Sequence, residues 1–245
     1  MKKIAVIFAG GTGTRMGVKD LPKQFLEVEG KPIIIYTIDH FEKHPEIDGV
    51  VVVCVEEWID YLKEKISAFG LKKVKSIVPG GTSGMDSIFR GLVAANRFYD
   101  GDSVVLVHDG VRPLIDANLI SRNINDTIEF GNSITSTICN ETFIISENGV
   151  DIDDIPLRSI SYNAQAPQAF ILEELIDAHR KMRKANPDYE GIVDCCTLYH
   201  KLGKKTFITE GVRGNIKVTN PVDIYILRAW LEFKKNDESL SDFMR

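Results

Sequence analysis

Lys3-Ile4-Ala5-Val6-Ile7-Phe8, running directly into Ala9-Gly10-Gly11-Thr12-Gly13-Thr14-Arg15-Met16, decides the fold of this chain. Ile4 to Phe8 is an unbroken apolar run of the kind found in strands covered on both faces. It empties into a glycine cluster, then Arg15, then Leu21-Pro22-Lys23-Gln24. Glycine lets backbone approach a ligand closely, and successive free N–H groups form a concavity that binds anions. Arg15 and Lys23, set just beyond, are suited to phosphate oxygens. The stretch therefore implies a parallel sheet with a phosphorylated ligand at the carboxyl end of its first strand. Neither G-x-x-x-x-G-K-[ST] nor G-x-G-x-x-G is present, because the glycine after Gly11 and Gly13 is Gly17. A ligand-free turn is the plain alternative, but it needs fewer glycines and no paired cations.

Outward from this stretch, strand-like and helix-like segments alternate. Pro32 opens a helix to about Lys43, with Ile34, Ile35, Ile38 and Phe41 on one side. Val50–Val55 reads as a buried strand, 56–69 as a helix and Lys75–Val78 as a short strand. Met85, Ile88, Phe89, Leu92 and Val93 recur at helical spacing within Gly84–Tyr99. Ser103–His108 is a further strand, and Asp116 caps a helix over 116–130. This order predicts an α/β fold, a doubly wound and mostly parallel sheet. Its ligands sit beyond the carboxyl ends of the strands, so the loops 9–16, 79–87 and 108–113 should converge there.

The alternation then breaks. Residues 133–160 read as extended segments around the turn Ser146-Glu147-Asn148-Gly149, a hairpin-like excursion. Helices return near 172–184 and 192–202. Strands are expected at Thr206–Thr209 and Ile216–Val218, and Pro221 opens a last helix to about Lys234. The polar tail 236–245 is expected to fray. No repeat or linker divides the chain, so residues 1–245 read as one domain.

Bulk properties exclude several classes of partner. The 245 residues carry a net charge of −5, which argues against broad nucleic-acid binding. No apolar run is long enough to cross a bilayer, and Met1-Lys2-Lys3 begins no signal-peptide pattern. Cys54, Cys139, Cys195 and Cys196 form no C-x-x-C pair and read as reduced packing residues of a cytoplasmic protein.

Three further motifs carry chemistry. Pro79-Gly80-Gly81-Thr82-Ser83-Gly84 precedes a helix bearing Asp86 and Ser87, whose free N–H groups favour anions or carbonyl oxygens. Val107-His108-Asp109-Gly110-Val111-Arg112-Pro113 places a carboxylate at a strand end, where it can hold Mg²⁺ directly or through water. Arg112 is placed to hold an anionic second substrate, although an Asp–Arg ion pair accounts for the two residues equally well. His108, without a second histidine at useful spacing, reads as a packing residue. In Asn215-Ile216-Lys217-Val218-Thr219-Asn220-Pro221, Lys217 stands on an apolar stretch and needs an anionic partner or a route to solvent. Arg15, Lys23 and Lys217 together suit a polyphosphate. Nucleotidyl transfer asks for no protein nucleophile, only positioning and charge neutralisation.

The ordered set Ala9-Gly10-Gly11-x-Gly13-x-Arg15-Met16, Pro22-Lys23-Gln24, Gly80-Gly81, Val107-His108-Asp109-x-x-Arg112-Pro113, Pro167-Gln168-x-Phe170 and Asn215-Ile216-Lys217-Val218-Thr219 resembles the cytidylyltransferases of the methylerythritol-phosphate and ribitol-phosphate type. The resemblance covers nearly the whole chain and implies a Rossmann-like nucleotidyltransferase with a protruding β-arm. It implies CTP as co-substrate, Mg²⁺ as cofactor and a small polyol phosphate as acceptor. By it, Arg15, Lys23 and Lys217 are the catalytic cations. Ala9, Gly10, Gly11, Gly13, Gly81, Thr82, Ser87 and Gly110 surround the nucleotide, and Asp109, Arg112, Thr142 and Arg158 hold the acceptor phosphate. The excursion at about 133–160 becomes an arm exchanged in a homodimer, carrying Thr142 and Arg158 to the neighbour's site.

Val111 and the stretch Ile155-Pro156-Leu157-Arg158 through Tyr162, Gln165 and Pro167-Gln168 are more similar to the ribitol 5-phosphate enzymes, with the methylerythritol phosphate enzymes as the alternative. Gly84 stands where such enzymes commonly carry arginine, Ala166 where threonine is usual, and Val193 where a polar residue precedes Asp194. A sugar 1-phosphate nucleotidyltransferase and a non-catalytic nucleotide-binding module are the rivals. The His-Asp-x-x-Arg-Pro block argues against the first, and the full set of charged candidates against the second.

Overall fold

A computed structural model describes residues 1–10 and 21–236. Its strands are β1 (Lys3–Ala9), β2 (Glu27–Val28), β3 (Lys31–Pro32), β4 (Gly49–Cys54), β5 (Val74–Pro79), β6 (Val104–Asp109), β7 (Asn132–Ile138), β8 (Tyr162–Ile171) and β9 (Ile208–Glu210). β2 and β3 form a small hairpin, and the other strands form one sheet in the order β5-β4-β1-β6-β8-β7-β9. β8 runs antiparallel to both its neighbours, while the remaining pairings are parallel.

The alternation of side chains along β1 builds a core on each face. Ile4 and Val6 point to one side, with α3 (Gly84–Ala95), α5 (Leu172–Ala185) and α6 (Cys195–Lys201). Ala5 and Ile7 point to the other, with α1 (Ile33–Lys43), α2 (Ile59–Ala68) and α4 (Ala117–Phe130). Burial of each such aliphatic side chain contributes about 1.5–3 kcal/mol, so the doubly covered sheet is the main stabilising unit. Asp116 caps α4 by accepting the Leu119 N–H at 2.7 Å, as its position predicts. α7 (Pro221–Asn236) lies outside these layers, where Leu227 joins Val28, Ile33, Val111 and Val218 in a third cluster.

The sequence reading does not anticipate β8 or the β2–β3 hairpin, and two segments that it does assign are placed differently. Asn132–Ile138 belongs to the central sheet, pairing with β8 and β9, so the excursion narrows to 139–161. β7 escapes an apolar pattern because its buried polar side chains bond to groups on the elements packed against it. Ser133 Oγ donates to Asn123 Oδ1 at 2.8 Å, and Thr135 Oγ1 donates to the Pro167 carbonyl at 2.7 Å. Ile216–Val218 forms no strand. It lies beside the loop after β6, where the Val218 N–H donates to the Val111 carbonyl at 2.8 Å. The excursion itself carries a single β-bridge, Ile145 to Asp154.

Candidate active site

β1 connects through α1 to β4 on one side, and β6 connects through α4 to β7 on the other. The gap between the carboxyl ends of β1 and β6 is thus the switch point at which such sheets bind ligands. A cavity of about 420 Å³ opens there, lined by Ala9 and Gly10 from the first loop, Gly81, Thr82 and Ser87 from the second, and Asp109 from the third. Lys23 and Lys217 also line it. The convergence of the loops is therefore as expected.

Glycine is required where the first two loops touch. A Cβ on Gly10 would stand 2.9 Å from Ser87 Oγ and 3.3 Å from Gly80 Cα. The second loop is held by its own side chains. Ser87 Oγ accepts the Gly81 N–H and donates to the Ser83 carbonyl, both at 2.9 Å. Ser83 caps α3 through the Asp86 N–H, and Asp86 accepts the Thr82 N–H at 3.2 Å. Arg90 and Arg183 pair with the Asp86 carboxylate. Burial pushes that carboxyl up, but the Arg183 hydrogen bond, the Thr82 N–H and both arginine charges outweigh it and hold it below its ordinary value.

Asp109 is the electrostatic centre. Lys217 Nζ lies 2.6 Å from its Oδ1, and Arg112 Nε lies 2.9 Å from its Oδ2. Burial opposes ionisation of Asp109, yet the charges of Lys217 and Arg112 prevail and keep the carboxyl below the usual range. Arg112 is braced further by the Asn215 carbonyl at 2.8 Å. Lys217 keeps 41% of its side-chain surface exposed, so it faces the cavity as well as its partner. Ile216 and Val218 set its direction by packing inward beside Val111 and Leu227.

Asp109, Lys217 and Phe8 also line a second cavity of about 240 Å³, together with Arg112, Gln168 and Asp194. The two cavities thus meet at the charge cluster. His108 is fully buried against Phe41, and burial lowers its pKa to about 3. It is a packing residue, as read from the sequence.

Other expected site residues fall elsewhere. Gly110 lines neither cavity and sits behind Ala9, where a Cβ would meet the alanine's at 2.8 Å. Thr142 and Arg158 stand on the excursion. Arg158 lines a separate hollow with Ile138, Cys139 and Leu157, and donates to the Asn140 carbonyl at 3.1 Å. Within one chain they are not brought to Asp109. Gly11, Gly13 and Arg15 lie outside the described residues. Among the described residues no group of three or more His, Cys, Asp or Glu could hold a metal ion.

Gln24, Gln168 and Asp194 line the cavities but were not among the expected site residues. Gln24 ties the Lys23 turn to β1 by donating to the Ala9 carbonyl at 2.8 Å. The only sequence signals for Gln24 and Gln168 are their places in Pro22-Lys23-Gln24 and Pro167-Gln168.

A doubly wound sheet with glycine-lined loops and a lysine–arginine–carboxylate cluster at its switch point defines an α/β nucleotidyltransferase. The profile of the 2-C-methyl-D-erythritol 4-phosphate cytidylyltransferase family matches residues 3–233. A ribitol-5-phosphate cytidylyltransferase of Vibrio parahaemolyticus is 44% identical over 95% of this chain and 97% of its own length. A 2-C-methyl-D-erythritol 4-phosphate cytidylyltransferase of Clostridium botulinum is 34% identical, covering 94% and 98%. The crystal structure of 4-diphosphocytidyl-2C-methyl-D-erythritol synthase from Anaerococcus prevotii superposes with a TM-score of 0.79 at 28% identity, covering 94% of this chain and 96% of that one. The chain belongs to this family of cytidylyltransferases.

Proposed function

We propose that the protein transfers CMP from CTP to D-ribitol 5-phosphate, giving CDP-ribitol and pyrophosphate. The observation that carries this reading is the junction of the two cavities at Asp109 and Lys217, with Arg112 on the wall of the second. It offers one compartment for a nucleotide and an adjoining one for an acceptor, with cations between them. The acceptor phosphate oxygen forms a bond to the α-phosphorus while the bond from that phosphorus to the bridging oxygen of pyrophosphate breaks. Lys217, Lys23 and Arg15 neutralise the triphosphate, and Arg112 holds the acceptor phosphate. Relatives named for ribitol 5-phosphate are 37–44% identical to the chain, against 34% for a Clostridium botulinum enzyme named for methylerythritol phosphate, which favours ribitol.

Mg²⁺ fits this site as an ion carried chiefly by phosphate oxygens. Among the described residues, Asp109 is the one carboxylate shared by both cavities, and its two paired oxygens retain lone pairs for a metal-bound water. When bound, the ion withdraws charge from the triphosphate.

The active unit is proposed to be a homodimer in which the 139–161 arm delivers Thr142 and Arg158 to the neighbour's acceptor cavity. A cytoplasmic setting is supported by the free cysteines and by the absence, among the described residues, of any helix long and apolar enough to cross a membrane.

The test is a pyrophosphate-release assay with CTP and Mg²⁺, offering ribitol 5-phosphate and 2-C-methyl-D-erythritol 4-phosphate in parallel. A higher kcat/KM for ribitol 5-phosphate is expected. A large preference for the other acceptor overturns the choice of substrate, and no release with either overturns the activity.

A further inference from the structure

We infer that Gln168 and Asp194 form a hydroxyl-recognising pair on the wall of the second cavity and set the enzyme's preference for a polyol chain. This rests on the acceptor reading above. Gln168 stands on β8 and Asp194 at the start of α6, and both line that cavity beside Arg112.

The orientation of the Gln168 amide is fixed by its partners. The Cys196 backbone N–H, which can only donate, meets Gln168 Oε1 at 2.9 Å. The amide nitrogen therefore faces Asp194 Oδ2, also at 2.9 Å. An amide nitrogen carries two N–H donors, and this bond uses one. Asp194 Oδ1 accepts both the N–H and the hydroxyl of Thr197 at 2.7 Å. Asp194 Oδ2 accepts only the Gln168 N–H among the described residues and so retains a lone pair.

One unused donor and one unused acceptor thus stand on adjacent, hydrogen-bonded atoms at a cavity wall. A hydroxyl, which both donates and accepts, matches this pair in a way that a phosphate or an apolar chain does not. Gln168 is 6% exposed, so its spare N–H has little access to bulk water and its pairing with substrate weighs in binding. The cationic cluster at Asp109 engages the acceptor's phosphate, and Gln168 with Asp194 reads the hydroxyls that follow it.

The test compares ribitol 5-phosphate with pentyl phosphate, which keeps the phosphate and chain length but carries no hydroxyls, in the wild-type enzyme and in Gln168→Met. The variant should lose roughly 10- to 100-fold in kcat/KM for ribitol 5-phosphate, with little change for pentyl phosphate or in the KM for CTP. A parallel loss with both acceptors, or no loss, overturns the inference. An inactive wild-type enzyme overturns the cytidylyltransferase reading instead.

A second readout uses the unaltered protein and so does not depend on the variant folding. With a non-hydrolysable CTP analogue bound, the side-chain amide NMR signal of Gln168 should shift on addition of ribitol 5-phosphate but not of inorganic phosphate. Equal shifts with both, or none with ribitol 5-phosphate, count against the pair.

Discussion

Lys217 and Asp109 form an ion pair with Nζ 2.6 Å from Oδ1, joining the segment before α7 to the end of β6 at the junction of both cavities. The carboxylate is nearly enclosed and the lysine is not, with 9% and 41% of their side chains exposed. Asp109 therefore aims Lys217, and the lysine's open side meets the ligand. Lys217→Ala should lower kcat by on the order of 10²- to 10³-fold, the usual effect of removing one group that stabilises developing charge. The variant should still fold, with a melting temperature lowered by several degrees at most, because Asp109 keeps Arg112 as a partner. Steady-state kinetics and calorimetry check this, and a fully active variant would remove the phosphate-clamp role.

The sheet was legible in the sequence because β1, β4 and β6 are apolar runs and the helices between them keep their period. β7 and β8 were harder to read. Ser133 and Thr135 satisfy their buried polar groups through Asn123 and the Pro167 carbonyl, so apolarity was no guide to their burial. Half of the site was legible for a different reason. Lys23, Asp109 and Lys217 are polar residues beside apolar strands or turns, where charge is costly without a partner. Gln168 gave no such signal, because an amide on a strand is commonplace and its meaning lies in Asp194 and Cys196, which only folding brings near.

Arg183 of α5 acts on the second loop through Asp86. Its guanidinium pairs with that carboxylate and lies 4.9 Å from the centre of the Phe89 ring, while Asp86 holds the Thr82 N–H at the cavity wall. Arg183→Ala should therefore raise the KM for CTP several-fold and change kcat less. Arg183→Lys should recover part of the loss. Asp86→Ala should give a similar defect, and the double variant should be no worse than the poorer single one, because the residues act as a unit. Additive losses in this cycle would show that the two act separately.

His108 and His179 make the fold acid-sensitive. Burial lowers both to about 3, and the Arg183 charge contributes at His179. Nδ1 of His108 and Nε2 of His179 have no hydrogen-bond partner among the described residues, so the structure offers little to stabilise either imidazolium. Between pH 6.5 and about 3 the unfolded chain binds protons at these sites and the folded chain does not. Stability must then fall as pH falls through this window. As pH falls past the ordinary carboxylate value of 3.8, Asp109 and Asp86, both held under that value in the fold, begin to lose their contribution as well. His179→Gln, which keeps an acceptor for the Tyr189 hydroxyl, should flatten the upper part of this decline by on the order of a few kcal/mol. Urea denaturation from pH 7 to pH 4 measures it, and an unchanged slope would exclude His179 as a source.

The 139–161 arm exposes apolar side chains that a lone chain leaves in water. Val150 is 84% exposed, Ile160 73% and Leu157 67%, and the bridge from Ile145 to Asp154 is the arm's only strand pairing among the described residues. Burying each against a second copy would contribute about 1.5–3 kcal/mol, enough together to favour assembly. Leu157→Asp combined with Ile160→Asp should therefore shift sedimentation from dimer to monomer. Exchange of arms makes a stronger demand, because each site would take Lys217 from one chain and Arg158 from the other. Lys217→Ala and Arg158→Ala should each be nearly inactive alone. In a hybrid dimer of the two, one site carries both defects and the other carries neither. Mixing the variants under conditions that allow subunits to reassort should restore about a quarter of wild-type activity, since half the dimers are hybrids with one intact site. If Arg158 served its own chain's site, each site in a hybrid would keep one defect and mixing would restore nothing.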